Sequence, residues 1–148
     1  MEDRYTRGFI SGAIAGVPAM LLNYATYYLN INSLTWIDFA SIFIYGRKNI
    51  TALESLFGLL AVIFFTGLVG TFFAFIVVRI SSKNLVFKSW MYGVTIWFSV
   101  FAITNLFKVP ELVFVNLNSA FSNFLSATIW GITLGYVLKW FDERVKTP

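Results

Sequence analysis

The chain of 148 residues contains no cysteine and no histidine. Their absence excludes disulfides, thiolate or imidazole ligands for zinc or haem, and catalysis by a cysteine or histidine side chain. Charged residues are also scarce, at 12% of the chain, whereas typical soluble domains have about 25%. Because 58% of the residues are hydrophobic, one domain of this length has too little polar surface to be soluble. The composition therefore predicts an integral membrane protein.

Four long stretches of the chain carry almost no charge, and each is long enough to cross a bilayer core, which needs about 20 apolar residues in a helix. The predicted spans are 8–29, 52–78, 89–107 and 119–138. The alternative is a soluble bundle, but its helices would each carry a polar face, and the run 56–78 has none. We therefore predict an all-α fold, in which residues 1–148 form one four-helix transmembrane bundle.

The basic residues are distributed unevenly between the two sides of this predicted bundle. Four spans place both termini on one side, which holds eight of the eleven lysines and arginines, namely Arg4, Arg7, Arg79, Lys83, Lys88, Lys139, Arg144 and Lys146. Short loops rich in these residues stay in the cytoplasm, so both termini are predicted to be cytoplasmic. Because the charges are scattered between loops, they favour contact with lipid head groups and argue against a nucleic-acid partner.

The first outer loop is predicted to contain a short amphipathic helix at residues 36–45. Thr35 and Asp38 have the spacing of a capping box, and the apolar residues that follow share one helical face. Ten residues are too few to span a bilayer, so we expect this helix to lie along the outer interface. The alternative is a re-entrant turn that packs against the bundle. Thr51 and Glu54 repeat the capping box at the start of the second span.

The outer acids Asp38 and Glu54 have a second interpretation besides capping. Together they form a candidate outer carboxylate pair for a divalent cation, since carboxylate oxygens are the ligands that calcium and magnesium take. The sequence shows no catalytic constellation and no phosphate-binding loop. We therefore predict no enzymatic activity, no cofactor and no metal site.

Small residues recur at four-residue intervals in the first and fourth spans. The predicted helix-packing residues are Gly8, Gly12, Gly16, Ala127, Gly131 and Gly135. This spacing places them on one face of each helix, where close backbone approach drives helix association in lipid. The surface that each face meets lies in the same chain, in a second copy of it, or in another membrane protein.

No charged residue lies near the middle of a span, which argues against proton- or ion-coupled transport. Four neutral polar residues lie in the predicted outer half, and they are Asn23, Thr26, Asn105 and Asn123. Either they form hydrogen bonds between helices, or they line an outer polar pocket for a lipid head group or small solute. The predicted function is a structural, accessory or partner-binding role through the glycine-lined faces. The alternative is a small solute or lipid transporter or channel that uses the polar pocket.

Several motifs also carry a family resemblance. They are Gly8 and Gly12 near the start, the segment 24–30 before a tryptophan-containing loop, the segment 92–97, and the segment 130–136. With these motifs the chain resembles the YqhR-type small membrane proteins of spore-forming bacteria. The resemblance implies four helices in a bacterial plasma membrane, and it implies no activity and no catalytic residue.

Overall fold

The computed structural model describes residues 3–80 and 83–145. Within these ranges the chain forms five helices and no strand: α1 (Arg4–Tyr28), α2 (Trp36–Tyr45), α3 (Ala52–Ile80), α4 (Leu85–Leu106) and α5 (Leu117–Val145). Helices α1, α3, α4 and α5 are long and apolar enough to cross a membrane. The predicted all-α fold, with four long helices and one short helix in the first long loop, is therefore confirmed.

The long helices extend beyond the predicted spans at several ends. Helix α4 begins at Leu85, four residues before the predicted start at Ser89, and α5 continues to Val145, past the predicted end at Leu138. Each of these predicted bounds lies next to a charged residue. The helices instead continue through Lys88 and Lys139, because long basic side chains at helix ends reach the membrane interface while their backbone stays helical.

Local capping determines where several helices begin. At α1 the Asp3 carboxylate accepts hydrogen bonds from the backbone N–H groups of Tyr5 and Thr6, at 3.1 and 3.0 Å. At α2 the predicted capping box is present: Thr35 accepts from the Asp38 N–H, and the Asp38 carboxylate accepts from the Thr35 N–H. Gly46 then caps the C-terminus of α2, and its φ of 71° lies in the left-handed region that favours glycine.

The long helices pack in the order α3, α1, α5, α4. Helix α1 lies between α3 and α5, and α4 packs against the other side of α5. Arg7 and Asp142 form an ion pair of 2.5 Å, so α1 begins and α5 ends at the same end of the bundle. We call this the terminal end, and the opposite end, which carries α2, the α2 end. Lys146, which contributes to the charge bias of the sequence, lies outside the described residues.

Helix α2 packs across the α2 end between α3 and α4. Its residues Ile37 and Ser41 lie against Gly58 of α3, where a glycine leaves room for them. On its other side, the ring of Phe39 lies 5.3 Å from the ring of Phe101 in α4. The buried residues around this contact are Leu34, Phe39, Ile42 and Leu112. Helix α2 therefore bridges two long helices that are otherwise separated at this end.

Candidate functional site

A cavity of about 580 Å³ lies beside α3 and α4, in the half of the bundle nearer to α2. All five helices contribute to its wall, which is almost entirely apolar. The small residues in the wall include Gly16, Ala19, Ala40, Ala61, Gly93 and Ala127. Large rings, such as those of Phe39, Trp97 and Trp130, form much of the rest. We call this space the lateral cavity, and its volume falls within the range of small-molecule sites, about 300–1,000 Å³.

On the side of the terminal end, Tyr92 of α4 contacts α3 next to the wall residue Val69. Its hydroxyl donates to the Val69 carbonyl oxygen of α3 at 3.1 Å, and its ring lies 5.2 Å from the ring of Phe73. These contacts join α3 and α4 on that side of the cavity. Towards the α2 end, α2 itself covers the space.

The cavity opens sideways, between α3 and α4. Phe64 and Phe65 on α3 and Ile103 on α4 contribute to its wall, and more than 45% of the surface of each is exposed. These residues belong to helices that are able to span a membrane. The opening therefore faces the hydrocarbon of a bilayer.

Most polar groups in or beside the wall have hydrogen-bond partners, but the buried indole N–H of Trp97, a wall residue, has none. The Thr66 hydroxyl donates to the Ile63 carbonyl oxygen at 2.9 Å, and the Ser126 hydroxyl donates to the Ser122 carbonyl oxygen at 3.1 Å. The Trp130 indole donates to the Gly12 carbonyl oxygen of α1 at 3.0 Å. A water molecule needs two to four polar partners to be held in a cavity, so this wall favours an apolar occupant.

An unfilled lateral cavity leaves its wall without close packing on one side. Wall atoms that face a gap lose the dispersion contacts that closely packed neighbours supply. Because the cavity opens sideways, an apolar group that enters from the bilayer would restore those contacts.

Two buried asparagines form a second, polar feature nearer to α2. The Asn23 amide donates to Asn123 Oδ1 at 2.8 Å, and the Asn123 amide donates to the Leu34 carbonyl oxygen at 3.1 Å. Asn23 Oδ1 in turn accepts from the Trp36 N–H at 3.0 Å. The ring of hydrogen bonds closes through the backbone from Leu34 to Trp36. It thereby fixes the entry into α2 against both α1 and α5.

Hydroxyl pairs extend this polar contact between α1, α5 and the connecting loop. Thr26 and Ser122 share a hydrogen bond of 2.6 Å, and Ser119 Oγ accepts from the Ser33 N–H at 2.9 Å. Three of the four predicted pocket residues, Asn23, Thr26 and Asn123, are thus brought together. They bond to one another and to backbone groups, and in this arrangement they form a helix contact.

Asn105, the fourth predicted pocket residue, lies apart from the other three. It is exposed, and its amide donates to the Phe101 carbonyl oxygen of its own helix at 3.0 Å. Its neighbour Thr104 is the buried residue at this position of α4. Helix α4 is therefore oriented about its axis so that Asn105 faces away from the bundle.

The predicted helix-packing glycines of α1 lie against α3. A Cβ atom built on Gly8 would lie 2.7 Å from the Ala74 Cβ, and one on Gly12 would overlap the Thr66 carbonyl oxygen. A Cβ on Gly16 meets a movable group instead, the Thr66 hydroxyl at 3.0 Å. The α1 face is therefore occupied within the chain.

The predicted small-residue face of α5 lies against α4. A Cβ atom on Gly131 would lie 2.9 Å from the Trp90 Cα, and one on Gly135 would lie 2.7 Å from the Val86 Cα. Gly93 of α4 approaches the Ala127 carbonyl oxygen so closely that a Cβ there would be 2.8 Å away. Both small-residue faces are thus used for internal packing.

The two candidate outer carboxylates bind donors of their own segments. The Asp38 carboxylate accepts from the Thr35 hydroxyl and N–H, both at 2.8 Å. Glu54 forms a two-point ion pair with Arg47, at 3.0 and 2.9 Å, and it accepts from the Ile50 N–H. The Glu54 carboxylate also raises the pKa of the Arg47 guanidinium. Among the described residues, no group of three or more acids suited to a metal ion occurs.

Sequence reasoning missed the lateral cavity, although one signal for it was present. Ala61 is a small residue of α3 that lies in the cavity wall and outside the four-residue repeats of α1 and α5. Small residues that face each other pack closely, but those that face a gap leave space. The sequence does not show that α3 and α4 are apart along much of their length, so it does not predict whether a small residue there packs closely or faces a gap.

The fold and the cavity together define a class of protein. Four helices able to span a membrane pack together through apolar side chains, and an apolar cavity opens between two of them, as in a multi-pass integral membrane protein. Comparisons of the chain with models of known protein families, with curated proteins and with solved structures gave no match.

Proposed function

We propose that this protein is a non-enzymatic accessory protein of a bacterial plasma membrane that binds an apolar molecule in the lateral cavity. Both termini face the cytoplasm in this proposal, which the bias of basic residues towards the terminal end supports. The resemblance in sequence motifs supports the bacterial plasma membrane. The lateral cavity is the observation that carries the binding role.

The other predicted roles have less support from the geometry. Partner binding through the glycine faces requires those faces to be available, and both are packed within the chain. Transport through an outer polar pocket requires free amides, and the Asn23 and Asn123 amides already bond to each other and to the backbone. The lateral cavity, by contrast, has an accessible apolar wall and no internal group that fills it.

Native mass spectrometry on protein purified in mild detergent tests this proposal. Wild-type protein is expected to retain a bound apolar molecule. Ala61→Trp places a large ring in the cavity wall and is expected to lose that molecule. Ala102→Trp makes the same change at an exposed position of α4 outside the wall, so this variant is expected to keep it.

Two results would contradict the proposal. One is the absence of any bound apolar molecule in the wild type. The other is equal retention of that molecule by Ala61→Trp and Ala102→Trp.

A further inference from the structure

We infer that the occupant of the lateral cavity is the hydrocarbon chain of a membrane lipid that belongs to the leaflet at the α2 end. This inference rests on the proposed function, since it names the class of molecule that the cavity binds. Three observations lead to it: the direction of the opening, the volume of the cavity, and the position of its polar groups.

The opening admits molecules from one half of the bilayer. The contact of Tyr92 with Val69 and Phe73 joins α3 to α4 on the side of the terminal end. The cavity itself extends from Gly93 and Val69, near this contact, to Phe43 and the rest of α2. A molecule that enters between α3 and α4 therefore comes from the leaflet at the α2 end.

The volume of the cavity suits a small molecule or a single hydrocarbon chain. Its 580 Å³ lies within the range of about 300–1,000 Å³ of small-molecule sites. A transmembrane helix of about 20 residues is about 30 Å long and 10–12 Å wide, so it takes up on the order of 2,400 Å³ and would lie mostly outside the cavity. A lipid chain is a single row of methylene groups and is far narrower than a helix.

The position of the polar groups indicates which part of the lipid lies inside. The hydroxyls of Thr66 and Ser126 line the cavity, and both donate to carbonyl oxygens of their own helices. The buried indole N–H of Trp97, another wall residue, has no partner, but one donor is too few to bind a phosphate or a sugar. The polar head of the lipid therefore stays outside the cavity, at the membrane boundary near α2, while the hydrocarbon chain lies against the rings of Phe39 and Trp97.

Shape is what retains the chain in this site. Bilayer hydrocarbon is as apolar as the cavity wall, so burial from lipid provides little hydrophobic driving force. Dispersion contacts with closely packed rings provide the attraction instead. Substitutions that change the shape of the cavity should therefore affect binding, even when they leave the wall apolar.

Photocrosslinking in phosphatidylcholine vesicles tests the inference. The probe is a trace of phosphatidylcholine with a diazirine near the middle of one acyl chain, and adducts are located by peptide mass spectrometry after irradiation. Wild-type protein is expected to carry adducts on wall residues such as Val62 and Ile96. These adducts should be lost in Ala61→Trp and kept in Ala102→Trp. Val100→Trp, which fills the cavity from α4, is a second filling variant if Ala61→Trp does not fold.

The outcomes separate this inference from the proposed function. If mass spectrometry shows an apolar molecule bound to the wild type, but the lipid probe labels no wall residue, the inference is wrong and the proposed function stands. If adducts on the wall persist unchanged in both filling variants, the inference is also wrong. If the wild type binds no apolar molecule and carries no wall adduct, both fail together.

Discussion

At the scale of single residues, the buried asparagine pair is a contact that one substitution should weaken strongly. Asn23 and Asn123 are 1% and 0% exposed, and each amide bonds on both sides. Asn123→Ala leaves the Asn23 amide and the Leu34 carbonyl oxygen without this partner. We expect a loss of about 1–3 kcal/mol in the free energy of unfolding, measured by titration with SDS in mixed micelles.

Asn105→Ala is the matched control for this substitution. Asn105 is exposed and bonds only within its own helix, so its replacement should change the free energy of unfolding by less than about 0.5 kcal/mol. Equal effects of the two substitutions would show that the asparagine pair does not hold α1, α5 and the entry into α2 together.

The N-cap of α1 gives a prediction for pH dependence. The Thr6 hydroxyl and the N–H groups of Tyr5 and Thr6 bond the Asp3 carboxylate and lower its pKa below the usual 3.8. Because the folded pKa is lowered, the capping contribution is complete above pH 3.8 and is lost as the pH falls through the lowered value. An NMR titration of Asp3 should therefore show a midpoint below 3.8. Thr6→Val should move it upwards; an unchanged midpoint would contradict this account.

The polar residues show how far single positions can be predicted from sequence. Asn23, Thr26 and Asn123 could be placed together because their depth along the spans and their position relative to the small-residue faces follow from spacing alone. Asn105 lies at a similar depth, but its direction depends on how α4 is rotated. That rotation follows from the packing of Gly93 against α5, a contact that the sequence of α4 alone does not specify.

At the scale of helices, the contact between α1 and α3 depends on the close approach of glycine backbones. We expect Gly12→Ala to destabilise the protein by about 1–3 kcal/mol, because its Cβ would overlap the Thr66 carbonyl oxygen, a backbone atom. Gly16→Ala is the control one turn further along, where the Cβ meets a side-chain hydroxyl that can rotate. Unfolding in SDS should show a clearly smaller loss for this variant.

The same pair of variants also separates internal packing from assembly. If the face of α1 packs against α3 only within the chain, Gly12→Ala should lower stability without changing the subunit number seen by light scattering in detergent. A change in subunit number without a loss of stability would instead place this face between protomers.

The helices differ in how far residues close in sequence determine their ends and their position. The bounds of α2 could be predicted because both ends are set by neighbouring residues, Thr35 with Asp38 at the start and Gly46 at the end. Its position against Gly58 of α3 and Phe101 of α4 could not be predicted in this way. Those contacts join residues far apart in the chain, and an apolar helical face fits a membrane surface as well as a protein surface.

At the scale of the whole molecule, the ion pair of Arg7 with Asp142 brings the start of α1 and the end of α5 together. The number of spans predicted this arrangement, although the pair itself was not predicted. The lateral cavity is also a property of the whole bundle, because it arises where α3 and α4 separate. A hydropathy pattern predicts which residues avoid water, but lipid and protein are equally apolar surroundings for them.

The absence of cysteine makes the predicted orientation directly testable. A single cysteine introduced at any position is then the one thiol in the protein. Lys48 is exposed at the α2 end, beyond α2, and Lys83 is exposed in the turn between α3 and α4, at the opposite end. In intact bacterial cells, a membrane-impermeant maleimide should label Lys48→Cys, and it should label Lys83→Cys only after the membrane is permeabilised.

The physical reason for this expectation is the uneven distribution of basic residues. Eight of the eleven lysines and arginines lie on the predicted cytoplasmic side, and the cost of translocating short basic loops keeps them in the cytoplasm. The reversed labelling pattern would show that the bundle is inverted. The lipid chain would then enter the cavity from the inner leaflet. Labelling of both variants in intact cells would contradict the four-span topology. Residues 48 and 83 would then lie on the same side of the membrane, so the chain between them would cross it an even number of times. The structure has one long helix there, α3.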